Sequence, residues 1–179
     1  SGSAPVDSLP SSEGGARLHW GGTERLVFLS YLDGWPHLYS VPTAGGLALL
    51  LTPGPFAVED VSMAPDRRSV VYNANRGTDG DDIDRRHIFR VPVDAASPVQ
   101  LTSGRGIEWS PVVAADGKTL AYLASDTLGP PRPMILPPDG GPPRPIADDR
   151  VPADFPSSKL VTPESVIVRA PDGVDVRGQ

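Results

Sequence analysis

Fifty residues after Ala64-Pro65-Asp66-Arg67-Arg68-Ser69-Val70-Val71-Tyr72 the chain reads Ala114-Ala115-Asp116-Gly117-Lys118-Thr119-Leu120-Ala121-Tyr122. The text around it repeats at the same distance. His37-Leu38-Tyr39-Ser40-Val41-Pro42 returns as His87-Ile88-Phe89-Arg90-Val91-Pro92, and Leu51-Thr52 returns as Leu101-Thr102. A looser copy, Trp20-Gly21-Gly22-Thr23-Glu24-Arg25-Leu26-Val27-Phe28, precedes the first by forty-four residues, and Arg132 to Pro137 is a degraded third copy of the His-led run. A period of about 40–50 residues carrying four short strands marks a β-propeller blade. Such a blade is a small twisted sheet with two apolar faces, and neither is buried until another blade stacks on it.

The strand signals fit that period. Short β-rich runs occur at 25–31, 37–42, 69–74, 87–93 and 119–125, and turn residues separate them. No stretch keeps apolar residues at helical spacing for three turns. Gly and Pro together make up 41 of 179 residues, and they fall between apolar runs as turn punctuation. Asp66-Arg67-Arg68 and Asp116-Gly117-Lys118 sit where a first strand turns into a second, and Ala44-Gly45-Gly46 and Asp139-Gly140-Gly141 at the turn between third and fourth. The expected fold is all-β: an incomplete β-propeller with four-stranded antiparallel blades over 16–51, 57–101 and 108–146. A terminal hairpin over 160–179 follows. Closed propellers have roughly 4–8 blades, so three blades are an unfinished ring with two apolar faces uncovered. A homo-oligomer through those exposed blade faces is expected. Residues 1–15, SGSAPVDSLPSSEGG, lack an initiator Met and an apolar signal region, and read as a flexible tag or lead-in.

Charge and composition limit the function classes. The net charge is -6, with no basic cluster, which argues against a nucleic-acid partner. No apolar run approaches the 18 residues of a membrane span. The reading is of a soluble chain whose compartment, cytoplasm or periplasm, stays open. With no cysteine there is no disulfide, thiolate metal site or Cys nucleophile.

The blade text MAPDRRSVVYNA, AADGKTLAYLAS and FLSYLDGWPHLYSVPTAGG resembles the PD40 (TolB-like) propeller repeat. The same repeat builds the propeller of prolyl-oligopeptidase-family serine peptidases, of the dipeptidyl-peptidase-IV and acylaminoacyl-peptidase kind. The tail FPSSKLVTPESVIVRAPDGVDVRGQ resembles the segment by which such peptidases leave the propeller and open an α/β-hydrolase domain. Pro163-Glu164, Val166, Asp172-Gly173 and Gly178-Gln179 fall in the matching places. Ile167-Val168-Arg169-Ala170 and Arg67-Arg68 depart from the pattern at positions that vary. The resemblance implies a catalytic α/β-hydrolase domain beyond Gln179 and further blades upstream, with a peptide as substrate of the parent protein. This chain's part would be non-catalytic: a propeller fragment that gates peptide access to the hydrolase domain, by proteolysis-limiting steric selection. The alternative is a TolB-like interaction scaffold with no enzymatic partner domain.

Searching the chain for chemistry of its own supports the non-catalytic reading. The hydrolase nucleophile sits on a G-x-S-x-G elbow, and that motif occurs nowhere in the sequence. His37 and His87 occupy one slot of successive repeats and read as fold residues, as does His19 beside Trp20. No catalytic, cofactor or metal residue is assigned. Asp79, Asp81, Asp82 and Asp84 lack the spacing and the bidentate Glu of a calcium loop, and Arg85 and Arg86 compete for them. They read as a solvated hairpin. Glu59-Asp60 is acidic, but the resemblance to the amino-terminus-binding Glu pair of the exopeptidases is not carried to it. In the Pro-rich run 129–146, Pro133 to Pro137 sit where a third strand belongs and read as a degenerate outer-edge strand rather than a PxxP ligand. Trp20, Trp35 and Trp109 are expected in blade-to-blade packing.

Overall fold

The computed structural model describes residues 18–77, 85–138 and 141–178. It contains three four-stranded antiparallel sheets and one two-stranded sheet. Blade one is β1 (Leu18–Gly21), β2 (Arg25–Ser30), β3 (His37–Pro42) and β4 (Leu49–Leu50). Blade two is β5 (Val58–Met63), β6 (Ser69–Ala74), β7 (His87–Pro92) and β8 (Val99–Gln100). Blade three is β9 (Ile107–Val113), β10 (Leu120–Asp126), β11 (Gly129–Leu136) and β12 (Arg144–Pro145). In each the strands follow one another in order, as an up-and-down meander. The sheets form an open fan, an incomplete propeller.

Turns are made where the sequence places Asp. Asp66 Oδ1 accepts from Arg68 N at 2.9 Å, and Asp116 Oδ1 from both Lys118 N and Thr119 N at 2.8 Å. An Asp bonding two residues ahead imitates a backbone turn and closes the hairpin. The residue after it must take the left-handed region: Gly117 has φ 70°, and Arg67, its counterpart, has φ 57°. A side chain in that region costs about 1–2 kcal/mol. Arg67→Gly is therefore expected to raise stability by about 0.5–1 kcal/mol after the flexibility of glycine in the unfolded chain is subtracted, read from urea melts.

Stacking follows from the two-residue alternation of strands. Along β6, Val70, Tyr72 and Ala74 join Val27, Leu38 and Leu51 of blade one in one apolar cluster, together with Phe89 and Val91 of β7. Val71 of β6 and Ile88 of β7 point the other way, into a second cluster with Leu120 and Tyr122 of blade three. The middle sheet is thus buried on both faces, which is why five of six β6 residues are buried. Backbone bonds join the sheets at matching repeat positions: Val58 N donates to Pro36 O, and Glu108 N to Arg86 O, each at 2.8 Å. Where β9 begins, Gly106 lies so near β10 that a Cβ there would stand 2.8 Å from the Ser125 carbonyl oxygen. Gly106→Ala is expected to cost about 1–3 kcal/mol, because backbone must move.

The Pro-rich run forms a third strand where one is expected, beginning earlier, at Gly129. β11 is the third strand, paired along its length with β10. Its prolines are placed where no ladder donor is needed. Pro133 O accepts from Ile146 N at 3.0 Å, so its nitrogen, on the same side, faces the fourth strand rather than β10. Pro130 and Pro131 lie against the irregularity between Ala124 and Asp126. β12 covers only Met134 and Ile135. The tryptophans also differ from expectation among the described residues. Trp20 and Trp35 are 51% and 41% exposed. Trp20 lies on the face of blade one turned away from blade two, opposite Leu26, and Trp109 pairs with Leu123 on the far face of blade three.

Two single 3-10 turns, Asp148–Arg150 and Ser157–Lys159, lead to β13 (Val166–Arg169) and β14 (Asp175–Gly178). Their register puts Val166, Val168 and Val176 on one side, and the Arg169–Asp175 ion pair on the other. All eight strand residues are exposed.

Candidate functional site

Polar side chains are buried in both seams of the fan, and those between blades two and three reach across from one sheet to the next. The pairing of β5 with β6 is irregular between Val58 and Val61. The bulge re-aims Glu59 and Asp60. Asn73, fully buried on β6, repairs the ladder: its Oδ1 accepts from Asp60 N at 3.2 Å, and its Nδ2 donates to Glu59 Oε2 at 2.7 Å. Arg86 Nε donates to the same carboxylate at 2.9 and 3.0 Å. Asp60 then crosses the seam. Its Oδ2 accepts from Ser110 N at 3.0 Å and Ser110 Oγ at 3.2 Å. Ser110 is the same repeat position fifty residues on, at the matching bulge of β9, with φ 51°.

Deeper in the seam lies a second group. Thr102 Oγ1 accepts from Ile88 N at 2.9 Å and donates to Glu108 Oε2 at 2.9 Å. His87 Nδ1 meets the same Glu108 oxygen at 2.5 Å. Blade one repeats half of this arrangement: Thr52 Oγ1 accepts from Leu38 N at 2.9 Å, and His37 Nδ1 meets Asp33 Oδ2 at 2.7 Å. There the position of Glu108 is held by Val58, and the His37 ring stands edge-on to Phe56 at 5.2 Å. Burial works to raise the Asp33 carboxyl, but hydrogen bonds from His37 and Tyr39 outweigh it and hold the group below its ordinary value.

Both imidazoles resemble the oriented half of a catalytic triad, but the other half is not assembled on them. A triad needs a hydroxyl on the second ring nitrogen. His37 Nε2 and His87 Nε2 are buried without a hydrogen-bond partner, and Thr102 sits on the carboxylate instead. Ser110 Oγ donates to the Asp60 carboxylate rather than to an imidazole nitrogen. These groups can orient strands and lock one blade to the next. His19 lies half-buried on β1. Asp79, Asp81, Asp82 and Asp84 fall outside the described residues. Among the described residues no group of three or more His, Asp or Glu is arranged to hold a metal ion. No described helix is long and apolar enough to cross a membrane.

The seam makes folding sensitive to alkali. Burial, with the Glu108 charge second, pushes the Tyr122 phenol up to about 12, against about 10 in an unfolded chain. Burial raises Tyr72 further. Above pH 10 the unfolded chain releases protons that the folded one still binds. The part of the stability linked to these two phenols is therefore fully present below about pH 10 and is lost as pH rises from there. In alkaline melts Tyr122→Phe is expected to flatten that fall by one proton.

The signals for this site were partly visible. The recurrence of His37 and His87 marked a fold position. The role of Glu108 was not, because no motif joins residue 108 to residues 87 and 102; only the antiparallel return of the chain brings them together.

A family model described as the dipeptidyl peptidase IV (DPP IV) N-terminal region matches residues 13–131, more than half of the chain. Among solved structures, a Mycobacterium tuberculosis puromycin-hydrolyzing peptidase is similar at 15% identity and TM-score 0.69, over 89% of this chain and 25% of that one. Porphyromonas gingivalis dipeptidyl peptidase 4 is similar at 15% identity and TM-score 0.66, over 90% of this chain and 22% of that one. TolB from Acinetobacter baumannii is similar at 17% identity and TM-score 0.51, over 84% of this chain and 33% of that one. At these identities the likeness is one of fold. The chain spans a quarter or less of the two peptidases and a third of TolB. No curated protein sequence matches it.

Proposed function

The chain belongs to the family of dipeptidyl peptidase IV N-terminal regions, and on that premise we propose that it is a non-catalytic part of a serine peptidase's propeller. In this reading it gates the access of peptides to an α/β-hydrolase domain elsewhere in the parent protein. The observation that carries the reading is the open three-bladed fan, whose first two blades and the start of the third lie within the family match, joined to a hairpin whose valine side is exposed. A two-stranded hairpin is marginal alone, and the hydrolase domain supplies a surface for Val166, Val168 and Val176. Acyl transfer from peptide to Ser, assisted by His and Asp, then belongs to that domain; this chain's blades narrow the route to it and select short, flexible peptides.

The second reading, a TolB-like interaction propeller without an enzyme, is favoured by the fold likeness to TolB. Reading the gene downstream by about one domain, roughly 250 codons, separates the two. The peptidase reading expects a G-x-S-x-G elbow, then Asp, then His, and a full-length protein that hydrolyses short peptides but not folded proteins. A stop codon, or a downstream region without the elbow, overturns it.

A further inference from the structure

Both seams of the fan lie inside the chain, and the repeat pairs them position by position. Between blades one and two one apolar cluster runs from Val27 to Val93 and takes in Phe56 and Val58 at the junction. Between blades two and three the buried apolar members, among the described residues, are Val71, Ile88, Leu120 and Tyr122. The polar His87, Thr102 and Glu108 are buried with them. Opening a seam forfeits its apolar burial, whereas polar groups exchange their partners for water. A buried carboxylate also regains the hydration it gave up.

The turns at one end of the fan differ in the same sense. Gly22 N of blade one donates to Arg67 O of blade two at 2.8 Å, backbone to backbone. Gly117 of blade three is the counterpart of Arg67, and its carbonyl receives Arg90 Nη2 at 3.5 Å, beyond the usual range of about 2.7–3.2 Å. Arg90 Nε is buried without a hydrogen-bond partner. The linkers complete the contrast. Thr52-Pro53-Gly54-Pro55-Phe56 joins the first two blades, and Thr102-Ser103-Gly104-Arg105-Gly106 holds the same places before the third. Two prolines fix φ in the first linker, and its Phe56 is wedged between the His37 ring at 5.2 Å and the Arg76 guanidinium at 5.3 Å. The second linker has neither proline nor wedge, and its Ser103, Gly104 and Arg105 are exposed.

We propose that the seam between blades two and three is a hinge. Blades one and two move as one rigid body, and blade three swings on Ser103–Arg105 with its own strand ladder intact. The swing parts Asp60 from Ser110 and uncovers Val71, Ile88, Leu120 and Tyr122, so the width of the fan varies at this seam and is fixed at the other. The inference holds under either reading of the function.

Val70 and Val71 supply the test. They are neighbours on β6, both fully buried, and they face opposite seams. In the purified cysteine-free chain, Val70→Cys and Val71→Cys are labelled with a thiol reagent under native conditions, where the rate reports local opening. The Val71→Cys protein is expected to label about tenfold faster or more. Adding Ser103→Pro with Arg105→Pro, the residues of the tighter linker, is expected to slow that labelling and leave the Val70→Cys rate unchanged. Equal rates, or faster labelling at position 70, overturn the proposal. An unchanged rate at position 71 in the proline variant overturns the placement of the hinge. Hydrogen exchange of the unsubstituted protein decides the matter without any variant. Glu108 N and Val58 N make matching bonds across the two seams, each at 2.8 Å. The protection factor is expected to be lower at Glu108, and equal protection overturns the hinge.

Discussion

Replacing Glu108 with alanine is expected to remove about 3–5 kcal/mol of folding stability, the cost of breaking a buried pair by deleting one partner. Glu108 is 8% exposed and accepts from His87 Nδ1 and Thr102 Oγ1 at one oxygen. Its loss leaves two buried polar groups without an acceptor, in a seam that also holds Tyr122 and Ile88. A chain of this size has roughly 5–15 kcal/mol in hand, so the variant is expected to melt far below the parent or to lose blade three from the cooperative unit. Glu108→Gln keeps an acceptor and is expected to cost much less. The repeat suggests the rescue. At the seam between blades one and two the equivalent position is Val58, the first residue of β5, and it is fully buried. His87→Leu combined with Glu108→Val is expected to be more stable than Glu108→Val alone, since apolar replacement of a whole buried pair is often near neutral. Chemical denaturation of the four proteins as a double-mutant cycle reads the coupling. Additive losses would show that His87 and Glu108 do not act together.

The second large effect is a contrast within one repeat position. Leu51→Ala is expected to cost about 2.7–5 kcal/mol, the range for fully buried leucines. Leu51 is wholly buried among Val27, Leu38 and the blade-two residues Val58 and Tyr72. Ile146→Ala, at the equivalent place in blade three, where the side chain is 54% exposed, is expected to stay within about 1 kcal/mol. Urea melts measure both. Equal losses would contradict the account, because the two positions are equivalent in the repeat and the expected difference rests only on burial by a neighbouring blade.

Much of this architecture is legible in the sequence, since the repeat reports it several times over. The Asp of each hairpin turn, the alternating runs and the L-T pairs recur because each blade solves the same problem of local geometry. What local pattern cannot show is how a strand is used once its neighbours are in place. The repeat places Pro133 in a degenerate third strand, but it does not show that Pro130 and Pro131 extend that strand along β10 while its other side meets only a two-residue β12. Trp20 looks like packing material, and it occupies the right face, but the described residues leave it half-exposed. The Asp60–Ser110 and His87–Glu108–Thr102 contacts were hidden for another reason: their members lie 50, 21 and 6 residues apart, and nothing local links them.

The central claim is that successive repeats stack so that one position of a blade abuts the same position of the next. The chain has no cysteine, so a pair can be introduced on a clean background. Asp60→Cys with Ser110→Cys replaces side chains that meet across the seam at 3.2 Å. Mild oxidation is predicted to form an intramolecular disulfide in most molecules, seen as a loss of two protons in mass and faster migration on a non-reducing gel. Free thiols after oxidation, or cross-links only between chains, would contradict the stacked-blade account.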